Sequence, residues 1–512
     1  MTTDILQAVR AAGVVGAGGG GFPTHVKLAA HADTVIANGA ECEPLVRSDR
    51  ILMATQPECV LRGLRLAMQA TGATRGLLAV KHEATQARQA LLAALKEAKD
   101  IELVPLGSYY PAGDEFVLVQ TLTGRNVPEG GLPRDVGVVV QNVTTLAQIA
   151  AAVDNATPVT ERLVTVVGEV AHPCVLRVPL GSSVRQVIAW AGGLTLERRV
   201  SREYTRASTR LPSLEQAGSG AIESDLAAVG DLTLEHRFPN RPLASGSPTH
   251  ANAEDDLAVV GGGAMMGRLL DWDAPLTKTC GALFVLPRQG PVVEMLTRTP
   301  AVALRRGRSA CDQCRDCTEV CPRSLLGHAL KPHEVMRSIN YGLDEPTRII
   351  TAAVLCSECR LCEAYACPLG LSPLIYYRAC KAELRRQGWQ NTAHRRADVQ
   401  PLPELGDRRV PVSRLTDKLG LTPYAARELV LDAAEHTPES VCLPWRQHAG
   451  APARPLVQVG QVVRRGDLLG EIPDGALGAR VHASIDGVVA ALTADAVTLE
   501  RRSPNRPTSE ER

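Results

Sequence analysis

The chain has little of what marks a membrane or secreted protein. No stretch reaches about eighteen uninterrupted apolar residues, the length a bilayer-crossing helix requires. The amino terminus, MTTDILQAVRAAG, lacks a basic segment followed by an apolar core and a cleavage site, so the expectation is a cytoplasmic protein with no membrane span. Charge of one sign is also missing. Lys plus Arg number 56 and Asp plus Glu 55, which leaves no basic excess to recommend nucleic acid as a partner. Lysine itself stops at Lys418, which limits what the last module can do.

What is present begins with length. A chain of 512 residues exceeds one hydrophobic core and implies roughly three or four domains. Of its 14 cysteines, eight fall in two runs, CDQCRDCTEVCP at 311–322 and CSECRLCEAYACP at 356–368. In a reducing compartment such close, regular spacing favours metal ligation over disulfides. The first run is CxxCxxCxxxCP, the spacing of bacterial ferredoxins with two [4Fe-4S] clusters. Three thiolates at three-residue steps can wrap three corners of a cubane, and the fourth ligand comes from the other run. That assigns Cys311, Cys314, Cys317 and Cys367 to one cluster and Cys356, Cys359, Cys362 and Cys321 to the second. The second run carries four residues between Cys362 and Cys367 where the pattern has three, so a local bulge must absorb one. Zinc sites built from two CxxC pairs are the alternative, and two triplets each followed by Cys-Pro argue against it.

A second informative stretch is VVGAGGGGFPTHVKL. It follows a short helix rather than a strand and contains Pro23, which disfavours a dinucleotide fingerprint. Gly16, Gly18, Gly19, Gly20 and Gly21 can expose consecutive backbone N–H groups to a phosphate or a flat ring, and Lys27 adds positive charge. A flexible surface turn is the plain alternative. Three strand-to-loop junctions follow: TVIANGAECEPL with Asn38, Glu41 and Glu43; YYPAGDEF with Tyr110, Asp114 and Glu115; and VVVQNVTTL with Asn142, Thr144 and Thr145. Each alone reads as a solvated turn, but polar residues at strand carboxyl ends commonly line a ligand crevice.

In order and spacing, GAGGGGFPTHVK, NGAECEP, YPAGDE and QNVTTL resemble the flavin-binding domain shared by the FMN subunit of respiratory complex I and the Rnf complex C subunit. The resemblance covers residues 1–155. It implies FMN held by Gly16, Gly18, Lys27, Asn38, Asn142 and Thr144, with Gly21 and Tyr110 counted among the cofactor-binding residues. Glu41, Glu43, Asp114 and Glu115 would shape the flavin and nicotinamide pocket, and Phe22 would stack on NADH. Residues 156–299 are similar to the β-grasp module that follows this domain in the same families, interrupted by an insertion at 195–255. Cys174 and His172 within it have no complementary ligand pair and read as structural.

The expected fold is multidomain, α/β and α+β. The flavin domain and β-grasp module lead to a ferredoxin-like dicluster domain at 300–385, a helical linker at 386–440, a barrel-sandwich β module at 441–500 and a tail at 501–512. The barrel-sandwich segment resembles lipoyl and biotinyl carriers, yet it has no lysine to bear a swinging cofactor, so a docking or structural role is expected. Its position after the cluster domain resembles the cobalamin reductase family of propanediol-utilising microcompartments, whereas a similar module comes first in the Rnf complex. That resemblance implies electrons passing from NADH through FMN and two [4Fe-4S] clusters to cobalamin. It also implies a corrinoid enzyme, an adenosyltransferase or microcompartment shell proteins as partners. The alternatives are an Rnf-like subunit between NADH and a ferredoxin or membrane partner, and a non-catalytic electron relay or scaffold.

Overall fold

The computed structural model describes residues 2–95, 100–195, 253–342 and 346–502. The expected insertion at 195–255 and the tail at 501–512 lie almost wholly outside these residues.

The glycine loop sits between α1 (Thr2–Ala11) and α2 (Thr24–Leu28). Short apolar runs then form β1 (Thr34–Gly39), β2 (Arg75–Lys81), β3 (Ile101–Leu106) and, after the two-residue β4 (Tyr109–Tyr110), β5 (Val138–Asn142). The four longer strands make a parallel sheet in the order β3–β2–β1–β5. Near-continuous apolar sequence such as RGLLAVK suits a parallel strand covered on both faces. The chain leaves β1 towards β2 and returns on its other side as β5. The carboxyl ends of β1 and β5 therefore flank a topological switch point, where open α/β sheets take their ligands. Asn38 and Asn142 are register partners there.

Five helices complete the domain: α3 (Ser48–Thr55), α4 (Pro57–Thr71), α5 (Thr85–Ala94), α6 (Glu115–Thr123) and α7 (Val143–Asn155). α4 and α7 approach so closely that a Cβ on Gly63 would lie 1.9 Å from the Leu146 carbonyl oxygen. Only glycine fits that crossing.

The β-grasp module contains β6 (Glu161–Gly168), β7 (Cys174–Pro179), α8 (Val184–Trp190), β8 (Leu257–Gly261), β9 (Arg268–Leu270) and β10 (Ala282–Pro287). The sheet order is β7–β6–β10–β8–β9, with β6 and β10 parallel and the other pairs antiparallel. Ser183 starts α8 through a capping box with Gln186, and Val184, Val187 and Ile188 pack against Val164, Leu176 and Leu283.

The cluster domain is helical, with its longest helices at Pro300–Ala310, Pro332–Tyr341 and Pro373–Arg386. Proline opens each one, where its missing N–H costs nothing. The segment expected as a helical linker differs from that expectation. Its longest helices after Arg386 are Val412–Lys418 and Thr422–Ala425, and β11 (Val410–Pro411) pairs with β4. Pro401, Pro403, Pro411 and Pro423 interrupt any longer helix.

The last module has β12 (Ser440–Pro444), β13 (Arg454–Pro455), β14 (Val462–Val463), β15 (Leu468–Glu471), β16 (Val481–His482), β17 (Gly487–Leu492) and β18 (Ala496–Arg501). They form two small sheets, β12–β18–β17–β14 and β13–β15–β16. The core side chains Leu443, Trp445, Leu469, Val489 and Val497 belong to the same apolar cluster as Leu64, Val143 and Leu146 of the flavin domain. Trp445 is 1% exposed and its Nε1 donates to the Thr493 carbonyl at 3.1 Å, so Trp445→Ala would cost about 3–5 kcal/mol. The module is packed into the body rather than tethered to it. Among the described residues no helix is long and apolar enough to cross a membrane.

Candidate functional site

The glycine loop closes on itself. Gly16 N donates to Phe22 O at 2.9 Å and Gly21 N to Gly16 O at 3.1 Å. Ala17 N donates to Thr145 Oγ1 at 2.9 Å, which ties the loop to the start of α7. Gly18, Gly19 and Gly20 are exposed, and a Cβ at Gly19 or Gly20 would meet no atom within 4 Å. Gly19 needs glycine for its φ of +107°, but neither backbone conformation nor packing accounts for glycine at 20. A backbone face kept bare suits close approach of a flat or anionic ligand. Phe22 is 40% exposed beside it.

At the switch point, Asn142 caps α7 by accepting from Thr144 N and Thr145 N, and its Nδ2 donates to Asp49 Oδ2 at 2.6 Å. Thr144 Oγ1 donates to the other Asp49 oxygen at 2.7 Å. Burial pushes the Asp49 carboxyl up against these bonds. Glu41, at φ 37°, accepts from Asp49 N at 2.6 Å and so caps α3. Burial first, and the neighbouring Asp49 charge second, raise Glu41 to about 7. Asn38 Nδ2 donates to Gly113 O at 3.0 Å, which fixes the turn before α6.

The four expected pocket acids are thus committed to protein partners. Besides Glu41, Glu43 accepts from Met265 N and Met266 N, both at 2.9 Å, and burial raises it to about 7. Asp114 caps α6 and takes both Arg323 nitrogens, at 2.7 and 3.1 Å. Glu115 pairs with Lys27 at 2.5 Å. Glu41, Glu43 and Asp114 hold the loops in place from within, while the Glu115 side chain is 42% exposed.

The eight thiols ring two cavities. Cys321, Cys356, Cys359 and Cys362 line one, with Tyr377 and Leu374. Cys311, Cys314, Cys317 and Cys367 line the other, with His333 and Leu371. All are free thiols. Gln313 (φ 65°) and Arg315 (φ 72°) in the first run match Glu358 (φ 59°) and Arg360 (φ 69°) in the second, at the same steps from the leading cysteine. Left-handed non-glycine residues cost about 1–2 kcal/mol each, and two pairs at equivalent positions mark loops bent so that successive thiols face one centre. N–H groups bond the sulfurs as well: Glu358 N to Cys356 Sγ at 3.4 Å and Leu371 N to Cys367 Sγ at 3.2 Å. The extra residue of the second run is taken up by a π-helical turn at Cys362–Ala366, which widens the helix by one residue before Cys367. The donor set and shared cavities fit [4Fe-4S] clusters.

The flavin domain meets the first of these cavities directly. Tyr110, 2% exposed, donates its hydroxyl to Cys359 O at 2.9 Å. The Arg323 guanidinium, two residues beyond Cys321, reaches Asp114 and lies 3.8 Å from the Phe116 ring centre. Arg360 donates to Met265 O at 2.8 Å and Lys381 to Cys356 O at 2.7 Å. The sequence alone marks none of Asp49, Arg323 and Arg360, and it offers Lys381 only as part of a basic helix face with Arg385 and Arg386 that is solvated or docks an electron-transfer partner.

Comparison with known proteins follows the same modules. Residues 9–151 match the Nuo51 FMN-binding domain, 163–204 the SLBB domain, 310–372 a 4Fe-4S dicluster domain and 420–504 the RnfC barrel sandwich hybrid domain. Together they define an oxidoreductase that joins a flavin-binding domain to an iron-sulfur dicluster domain. Cobalamin reductase PduS of Salmonella typhimurium and that of Citrobacter freundii are each 39% identical over 500 residues, covering 97% of this chain and 96% of theirs. The chain belongs to the cobalamin reductase PduS family. The C subunit of the ion-translocating oxidoreductase complex of Pseudomonas aeruginosa is 33% identical over 390 residues, 75% of this chain and 40% of that protein. The expected family and multidomain fold are borne out.

Proposed function

We propose that the protein passes electrons from NADH through FMN and two [4Fe-4S] clusters to cobalamin. FMN, when bound, supplies the exchange between a two-electron hydride donor and one-electron acceptors. The chain's own part is to place the groups. Gly18, Gly19 and Gly20 offer bare backbone to the flavin or its phosphate while Gly16 and Gly21 close the loop beneath them, Asn38, Asn142 and Thr144 set the switch-point edge, and Phe22 offers a ring to nicotinamide. Cys321, Cys356, Cys359 and Cys362 would hold the inner cluster and Cys311, Cys314, Cys317 and Cys367 the outer one.

The observation that carries this reading is the bond from Tyr110 of the flavin domain to the Cys359 carbonyl, which joins flavin domain and inner thiol cavity without an intervening module. Cobalamin as acceptor rests on the named activity of the two PduS relatives. Residence in a microcompartment is part of the same proposal. Anaerobically purified protein should contain FMN, iron and sulfide, its flavin should bleach with NADH, and cob(II)alamin should be reduced in the presence of an adenosyltransferase trap. Bleaching without cobalamin reduction would overturn the acceptor alone. Absence of flavin would overturn the whole route.

A further inference from the structure

The carbonyls of the glycine loop are held from behind by the β-grasp and barrel-sandwich modules. Arg162 on β6 donates Nη2 to Ala17 O at 2.5 Å and Nη1 to Lys278 O. Lys278, 2% exposed, donates Nζ to Gly13 O and to Arg480 O, both at 2.7 Å. Ala449 N donates to Gly21 O at 2.9 Å. Neither cation has a carboxylate within ion-pair distance among the described residues. The packing is made for them: a Cβ on Gly281 would sit 2.7 Å from Arg162 Nη2, and one on Gly13 would sit 2.8 Å from Lys278 Nζ.

The front of the loop is different. The exposed N–H groups of Gly18, Gly19 and Gly20 have no hydrogen-bond partner among the described residues. In a trans peptide the C=O and N–H point in opposite directions. With Ala17 O drawn in towards Arg162, the Gly18 N–H of the same peptide must point away from Arg162. A cation on the carbonyl also polarises the peptide and strengthens its N–H as a donor. Consecutive free N–H groups form a nest for an anion.

We propose that Arg162 and Lys278 are positioning residues of the flavin site: Arg162 turns the Gly18 N–H outward through the Ala17 carbonyl, and Lys278 fixes the base of the loop at Gly13 and carries the carbonyl that Arg162 binds, so that the free N–H groups face a phosphate ester. This rests on the flavin assignment above. FMN and the pyrophosphate of NADH share that chemistry, and the test separates them.

The full chain, purified anaerobically with its clusters and stripped of flavin, is titrated with FMN and with riboflavin, which lacks the phosphate, by quenching of flavin fluorescence. Arg162→Met and Lys278→Met should each weaken FMN at least tenfold while leaving riboflavin within twofold, and Arg162→Lys should recover part of the loss. If the FMN-to-riboflavin ratio is unmoved but KM for NADH rises tenfold at constant kcat, the nest serves the dinucleotide and the positioning role stands. Equal weakening of FMN and riboflavin, or no change in FMN, riboflavin or NADH, overturns it. Iron content reports assembly, and if a Met variant fails to retain it the Arg162→Lys ratio decides. Wild-type protein that binds neither flavin would instead overturn the parent assignment.

Discussion

The two thiol cavities have the same loop geometry and different surroundings. The inner one, lined by Cys321, Cys356, Cys359 and Cys362, has three buried thiols and is bordered by Arg323, Arg360 and Lys381. The outer one has an exposed thiol, Cys314, and is lined by Arg315, with Asp312 and Asp316 on its loop, while the inner run carries Glu358 and Glu363, paired with Lys381 and Arg360. A repeated motif thus yields one site facing the flavin domain and one facing solvent. Cations near a cluster stabilise its more negative, reduced form, while carboxylates oppose it. By its place against the flavin domain the inner site is suited to receive electrons first, and the outer one, with its exposed thiol, to release them at the surface.

The largest expected effect breaks one half of that pair. Cys359→Ala and Cys314→Ala should each remove about half of the iron while FMN remains, measured by iron and flavin quantitation. Loss of all iron in either variant would mean that the cavities do not load separately. A smaller effect is expected at the joint between flavin domain and inner cavity. The side chains of Arg323 and Asp114 are 9% and 11% exposed, so removing one partner of the pair should destabilise by about 3–5 kcal/mol. Arg323→Met combined with Asp114→Asn should recover part of that, and the double-mutant cycle by chemical unfolding measures the coupling.

Smaller again is the electrostatic difference itself. Arg360→Met should lower the inner cluster's midpoint potential by tens of millivolts, where about 60 mV corresponds to tenfold in a one-electron equilibrium, and move the outer cluster much less. Redox titration followed by electron paramagnetic resonance would read both.

An effect on folding rather than on electron transfer is expected away from both cavities, at Lys278. Its amine falls from 10.5 to about 7 because burial disfavours the charged form. Between those values the unfolded chain holds the extra proton, so this residue's contribution to stability rises from pH 7 to 10.5 and is lost as pH falls through 7. Lys278→Met should flatten the corresponding part of the pH dependence of thermal unfolding, and an unchanged slope would contradict the assignment.

The cysteine runs were legible because a cubane imposes its spacing within a dozen residues. The odd step between Cys362 and Cys367 was legible as an anomaly, while its form, a π turn, depends on how the helix packs. The glycine loop and the junctions at Asn38, Asp114 and Asn142 were legible as polar residues at strand ends. What those acids do was not. Glu43 binds amides 222 residues away, and Asp114 pairs with an arginine 209 residues on. Arg162 and Lys278 reach loop carbonyls 145 and 265 residues back, and no local pattern marks a cation destined for burial against them. The absent carrier lysine pointed to a docking or structural role for the last module. The shared core around Trp445 makes it part of the body that backs the glycine loop.

The order of the two sites is tested most directly by rapid freeze-quench of NADH with the two cysteine variants, read by electron paramagnetic resonance. Cys314→Ala, which keeps the inner cluster, should show that cluster reduced by NADH within one turnover. Cys359→Ala, which keeps the outer cluster, should leave it oxidised on that timescale although dithionite reduces it. The opposite pattern, with NADH reducing the outer cluster when the inner one is missing, would contradict the account.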